Sequence, residues 1–463
     1  MMLCHYKRRL FCIFVLVSVL TFSSYLLLYS GTDTNYFLIS KGKGERSADF
    51  QINRGKVRAE KELNEPIMKW APNLKKLPDL QPQLAANETF DEEDVEGVPM
   101  TGTGELFDCP PPPKWLNGRQ PCRPAKKIMF LKTRRTGSST VQNILFRYGE
   151  KHNLNFALPR EGIQFSDVSG MPFQRSQMMK TNHTPEGYDI LCHYARFNEP
   201  GLSSVISDGG IYITTLRDPT SQFESIFTHM RLDKLFRVPG NNLKSSFRVF
   251  MEKPEKFYSV LSSTLRRWAK NPMLFDLGIA PQEMLHLRQV DNYVQYLDRK
   301  FDFVILREYF DESLILLKKL LCLDFQDIAY VEHNVRSAAA QFTDTTAEGL
   351  DSQVLRWNMG DARLYEHFKE KTLCLIRHFG NEKMRREVMK LREMNEKYYD
   401  LCVEDILNDG ANVWSPANSR AIAYKLKEKA VENEMCVNLV KPEYIYTREL
   451  RHKFMTNISQ KLN

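Results

Sequence analysis

The sequence predicts an α/β protein: a central parallel sheet flanked by helices, a helical C-terminal addition, and a transmembrane helix near the N-terminus. Three observations carry this. Short apolar runs alternate with helix-patterned segments between Lys127 and Leu321, as in sheets whose parallel strands are joined by helical crossovers. Beyond about Thr345 the pattern turns helical, with Glu393 and Lys397 one i,i+4 pair among many charges. An uncharged run, Leu10–Tyr29, precedes everything else. The 463 residues are 42% hydrophobic and 26% charged, a balance that buries a core and excludes a wholly disordered chain. A net charge of +8 spread along the chain suits anionic ligands but makes no concentrated footprint for nucleic acid.

The Leu10–Tyr29 run holds about 20 residues, which as a helix crosses roughly 30 Å of hydrocarbon. Lys7, Arg8 and Arg9 precede it and the next basic residue is Lys41, so the positive-inside rule keeps residues 1–9 cytosolic and the rest lumenal. A cleaved signal peptide is the alternative, but the run is longer than a usual h-region and Ser23–Gly31 offers no clear small-x-small cleavage site. Sequons at Asn87, Asn182 and Asn457 are expected glycosylation acceptors in a secretory lumen. Residues 30–107 are polar, acidic from Asp91 to Glu96, and carry prolines at 66, 72, 78, 82 and 99, which reads as a stem. Pro110–Pro113 then marks the boundary of a folded domain spanning 108–450, with 451–463 as a tail.

That domain opens on Lys127–Leu131, a short apolar run that reads as a buried strand. A polar loop follows, and then Val141, Ile144, Leu145 and Tyr148 recur on one helical face. The unit repeats in variant form: Gly210–Leu216 as strand, Arg217-Asp218-Pro219 as turn, and a helix with Phe223, Ile226, Phe227 and Met230 on one face. Asp218 suits an N-cap and Pro219 a first helical position. Asp189–Cys192 and Phe301–Leu306 are further strands, the latter leading into a helix over Glu312–Leu321. Of nine cysteines, Cys4 and Cys12 lie in or before the span, leaving seven, so at least one is unpaired or intermolecular. None has C-x-x-C spacing, which argues against zinc. Cys109 with Cys122, bracketing the proline run, is the expected local disulfide.

The loop after the first strand reads Lys132, Thr133, Arg134, Arg135, Thr136, Gly137, Ser138, Ser139, Thr140. Basic, hydroxyl and glycine residues between a strand and a helix N-terminus make an anion site, because free N–H groups, the dipole's positive end and cationic side chains converge. The G-x-x-x-x-G-K-[ST] pattern of nucleotide triphosphatases is lacking, and no strand-end Asp stands out as a magnesium partner. An anion cradle without metal fits a sulfuryl donor better than ATP. Arg217, at a strand end, and Ser225, on the helix side away from the apolar stripe, are candidates for a second phosphate.

These two elements resemble the 5'-phosphosulfate loop and the 3'-phosphate site of sulfotransferases, and the chain is most similar to the galactose 3-O-sulfotransferase family. The blocks that carry the resemblance include Ser139–Arg147, Leu216–Pro219, Phe223–Ser225, Phe275–Gly278, Glu308–Leu314, Leu364–Phe368, and Pro442-Glu443 with Tyr446, within roughly Lys126–Leu450. The resemblance implies a P-loop-like sulfotransferase fold, 3'-phosphoadenosine 5'-phosphosulfate as co-substrate without metal, a galactose-ended glycolipid or glycoprotein acceptor, and a Golgi membrane location. Lys132, Arg135 and the N–H groups of Gly137–Ser139 would face the transferred group, with Arg217 and Ser225 on the 3'-phosphate.

Two departures bear on catalysis. Where the family's loop reads K-T-H-K-T, this chain has Arg134 in the histidine slot and Arg135 in the second lysine slot. Where the family reads C-[NH]-H-x-R-F, Cys192–Phe197 places Tyr194 in the histidine slot. His193, one residue away, points to the other face of an alternating strand unless the strand bulges. His193 and Tyr194 are therefore the base candidates by position alone. Trp268 and Trp357 are the aromatic candidates for a sugar face. The competing readings are a galactoside-binding relative without turnover and a small-molecule kinase, which would need ATP and magnesium.

Overall fold

A computed structural model of the chain describes residues 109–117, 122–165, 170–179, 187–206, 209–261, 263–333, 350–407 and 423–462. Five parallel strands form the central sheet: β1 (Ile128–Leu131), β2 (Phe156–Ala157), β3 (Ile190–Leu191), β4 (Ile211–Leu216) and β5 (Phe303–Leu306). Their order is β2-β3-β1-β4-β5. The four expected strands are all present, each trimmed at one or both ends. All four β1 side chains are fully buried, as a strand covered on both faces requires. The two-residue β2 was not legible, because so short a pairing has no periodicity to read.

Helix α1 (Ser138–Lys151) buries Val141, Ile144, Leu145 and Tyr148 together with the alternate residues of the sheet's one face. Helix α2 (Pro219–His229) starts at Asp218, whose carboxylate accepts from Ser221 N at 3.0 Å. Helix α3 (Phe310–Leu321) begins two residues before the expected start, since Phe310 joins the core it packs against. The C-terminal third holds α4 (Met359–Phe379), α5 (Asn381–Cys402), α6 (Glu434–Val440) and α7 (Glu443–Leu462). It also holds an antiparallel pair, β6 (Val403–Leu407) with β7 (Ala423–Leu426), that the helical reading missed. Helix α7 runs on through the expected 450/451 tail boundary.

The cysteine pairing corrects the sequence expectation. Cys109 bonds Cys374, Cys122 bonds Cys322 and Cys402 bonds Cys436, with Cα–Cα distances of 5.5, 5.6 and 5.1 Å. Consecutive prolines hold the backbone extended, so Cys109 and Cys122 reach two different helical regions instead of closing on each other. Among the described residues Cys192 is the free thiol, buried, with its pKa raised by burial. Replacing both Cys402 and Cys436 by alanine is expected to cost about 2–4 kcal/mol, measured as the loss in urea unfolding free energy.

No helix among the described residues is long and apolar enough to cross a membrane. Leu10–Tyr29, the stem up to residue 107, and the sequons at Asn87 and Asn182 lie outside the described residues. Asn457 falls within α7, with its side chain outside them.

Candidate active site

In an open parallel sheet, ligands bind beyond the carboxyl ends of the strands where the winding direction reverses. Here the chain winds one way from β1 to β2 and β3, then crosses to β4 and β5, so the reversal flanks β1. The loop Lys132–Gly137 leaves β1 at that point, Tyr194 follows β3 and Arg217 follows β4. Three separate stretches of sequence thus converge because their strands are neighbours.

Hydroxyls hold the loop from beneath. Thr133 Oγ1 donates to the Thr215 carbonyl, Thr136 Oγ1 lies 2.7 Å from Thr215 Oγ1, and Ser138 Oγ donates to the Thr133 carbonyl at 2.6 Å. Thr133, Thr136 and Ser138 are all buried; their hydroxyls shape the loop. Thr140 Oγ1 accepts from the His333 backbone N–H at 3.1 Å. Gly137 has φ 83°, and a Cβ there would lie 3.1 Å from Arg307 Cδ in a left-handed conformation that glycine tolerates. Arg135 takes φ 62° without that freedom, an uncommon state that functional loops retain when their surroundings enforce it. Helix α1 carries no side-chain N-cap bond, so the positive end of its dipole faces an incoming anion without a competing side-chain oxygen.

Above the loop lies a cavity of about 480 Å³, within the size range of small-molecule sites. Lys132, Thr133, Arg134, Arg135, Ser138 and Ser139 line its floor. Arg217 and Ser225 are not among its lining residues. They meet Arg135 from beside the cavity: Arg135 Nε donates to Ser225 Oγ at 3.0 Å, and Arg217 donates to the Arg135 carbonyl at 3.3 Å.

Arg134 and Tyr194 come together. The Arg134 guanidinium forms an ion pair with Asp276 and a bond to the Tyr194 hydroxyl. It lies 3.4 Å from the Tyr194 ring centroid and 4.4 Å from that of Trp268. Tyr194 in turn donates to Asp276 Oδ1 at 2.8 Å. Burial drives the Arg134 pKa down to about 10 and raises that of Asp276, each partly offset by the other's charge. At neutral pH the guanidinium stays charged, and neither slot presents an uncommitted base.

His193 does point to the other face, as strand alternation dictates. It is fully buried outside the cavity, packed against Phe146 and Phe165, with Nε2 2.8 Å from Thr447 Oγ1. Because the Thr447 hydroxyl donates to the Glu443 carbonyl, His193 Nε2–H is the donor in that contact. Burial, then the charges of Lys132 and Arg451, push its pKa well below the ordinary histidine value. This position removes His193 from the base candidates. Of the two tryptophans, Trp268 lines the cavity. Trp357 is a core residue whose Nε1–H donates to the Ala269 carbonyl at 2.6 Å.

The far wall comes from the C-terminal third, which sequence reasoning treated as an addition. Asn143 donates to the Asn438 carbonyl at 2.9 Å and His333 Nε2 meets the Leu439 carbonyl at 2.8 Å. These contacts bring Glu443, the first residue of α7, onto the loop, where it forms an ion pair with Lys132. Lys132 Nζ also donates to Gln142 Oε1 at 2.7 Å. Glu443 and Asp276 lie at the site, though in the sequence both stand out only as members of the blocks that carry the resemblance. The signal available was Pro442-Glu443 at a helix start and Asp276 inside a block already quoted.

The family profile described as galactose-3-O-sulfotransferase matches residues 97–454. The galactosylceramide sulfotransferase of Bos taurus is 31% identical, covering 71% of this chain and 79% of that protein. Galactose-3-O-sulfotransferase 3 of Bos taurus is 31% identical over 75% of this chain and 81% of the relative. Galactose-3-O-sulfotransferase 2 of Sus scrofa is 31% identical over 72% and 86%. With a basic anion loop at the sheet's reversal point and this likeness extending across nearly all the described residues, the chain belongs to the galactose-3-O-sulfotransferase family of sulfotransferase enzymes.

Proposed function

We propose that this enzyme transfers the sulfuryl group of 3'-phosphoadenosine 5'-phosphosulfate to a galactose hydroxyl, the 3-hydroxyl, of a glycolipid or glycoprotein glycan. The observation that carries this is the cavity floor: Lys132, Arg135 and an uncapped helix N-terminus gathered on one loop. Lys132, Arg135 and the N–H groups of Gly137–Ser139 stabilise charge on the transferred group and the bridging oxygen. Arg217 and Ser225, joined to that loop through Arg135, take the 3'-phosphate. Trp268 offers an aromatic face to the sugar. The names of the relatives, one specifying galactosylceramide and others galactose, support the acceptor class.

In this reading residues 1–9 are cytosolic, 10–29 span the Golgi membrane, 30–107 form a stem and the catalytic domain is lumenal. Full-length protein incubated with radiolabelled sulfuryl donor and a panel of β-galactosides should label galactose, without ATP or magnesium. No label on any galactoside contradicts the reading. Arg217→Ala is expected to weaken 3'-phosphoadenosine 5'-phosphate binding by about tenfold or more, and adenosine 5'-phosphosulfate binding little, because a charge-assisted bond to the 3'-phosphate is lost. Isothermal calorimetry with both ligands checks this; equal losses remove Arg217 from that role.

A further inference from the structure

A sugar hydroxyl that attacks sulfur must give up its proton, so the site needs an acceptor. Arg134 and Tyr194, in the slots where the family carries histidine, are both bound to Asp276. His193 lies behind the strand, bonded to Thr447. Among the described residues lining the cavity, Glu443 is the only carboxylate. It stands at the first position of α7, and it touches Lys132 on the floor.

We propose that Glu443 is the catalytic base of this enzyme. The inference rests on the sulfuryl-transfer reading above. As the galactose oxygen bonds to sulfur, the bond from sulfur to the bridging phosphate oxygen breaks and its electron pair stays on the phosphate. The hydroxyl proton passes to the Glu443 carboxylate, which returns it to water after product leaves. Neutralising Glu443 also frees Lys132 from its ion pair while negative charge grows on the leaving oxygen. Gln142 keeps the ammonium in place through its 2.7 Å bond. Proton transfer and electrostatic stabilisation are thereby coupled at one contact.

The surroundings hold Glu443 for this task. Its carbonyl accepts from Thr447 at 2.8 Å, and Thr447 accepts from His193, so His193 acts as a positioning residue from the far side of β3. The Cys402–Cys436 disulfide ties α5 to α6, whose last residue, Val440, lies three residues before Glu443. His229, the last residue of α2, and His333 also line the cavity, and His333 Nε2–H is committed to Leu439. A proton on its other nitrogen would add a cation beside Arg147 and Lys132, and burial with these charges holds its pKa at about 4. A proton on Glu443 removes a charge instead.

The test compares full-length wild type, Glu443→Gln, Glu443→Asp and His333→Gln for kcat against pH, with 3'-phosphoadenosine 5'-phosphate affinity measured on each. Glu443→Gln should lower kcat by about a hundredfold or more, keep product affinity within about threefold, and abolish the acid limb of the kcat–pH profile. Glu443→Asp should retain the limb at reduced rate. Glu443→Gln with kcat within tenfold of wild type, or a kcat loss matched by lost affinity, overturns the proposal; the second result would make Glu443 only a support for Lys132. Loss of the limb in His333→Gln alone, or in a His229→Gln variant measured beside it, also overturns it. A wild type that sulfates no galactoside overturns the functional reading as well, which separates the two failures.

Discussion

Arg135→Ala is expected to slow sulfuryl transfer by about a hundred- to a thousandfold at saturating donor, the cost of removing one preorganised donor aimed at developing charge. Arg135 sits where floor and side of the site meet. Its side chain reaches Ser225 and its carbonyl receives Arg217, while its backbone is held at φ 62° by the loop beneath. One residue therefore links the loop at β1 to the helix after β4. Arg135→Lys should recover much of the rate, since a lysine supplies the charge, though not the planar guanidinium whose Nε meets Ser225. Single-turnover assays report the chemical step directly. A fall of less than tenfold for Arg135→Ala would show that Lys132 and the helix N-terminus suffice.

Arg134→Ala is expected to destabilise the folded domain by about 3–5 kcal/mol, because it strands Asp276 as a buried carboxylate. Asp276 is 1% exposed, and besides the guanidinium it holds the Arg134 N–H at 2.9 Å and the Tyr194 hydroxyl at 2.8 Å. Removing the carboxylate's charge as well, in Arg134→Ala with Asp276→Asn, should restore a large part of the loss. Urea unfolding of the two single variants and the double variant measures the coupling. If the double variant is no more stable than Arg134→Ala, the ion pair is not the source of the effect. The same contacts govern what histidine would do in both slots: Arg134→His with Tyr194→His takes two partners from Asp276, so it costs stability before it can add a base.

The parts of this molecule that were legible in sequence are those set by neighbours along the chain. Burial of Ile128–Leu131, the periodic face of Val141, Ile144, Leu145 and Tyr148, and the Asp218-Pro219 helix start all follow from patterns a few residues long. The opposite facing of His193 and Tyr194 is equally local, a consequence of strand alternation. The loop Lys132–Thr140 was recognisable as an anion site because strand, basic loop and helix N-terminus are consecutive.

What only the tertiary structure decided are the pairings between distant positions. Cys109 meets Cys374 across 265 residues, not Cys122 nearby. Arg134 finds Asp276 142 residues away, which turns two expected catalytic slots into a buried network. Lys132 finds Glu443 across 311 residues, and with it the site acquires its far wall and its carboxylate. No local propensity encodes such contacts: a carboxylate on a helix end and a lysine at a strand end read as ordinary surface charges until packing of the C-terminal helices on α1 removes water from between them.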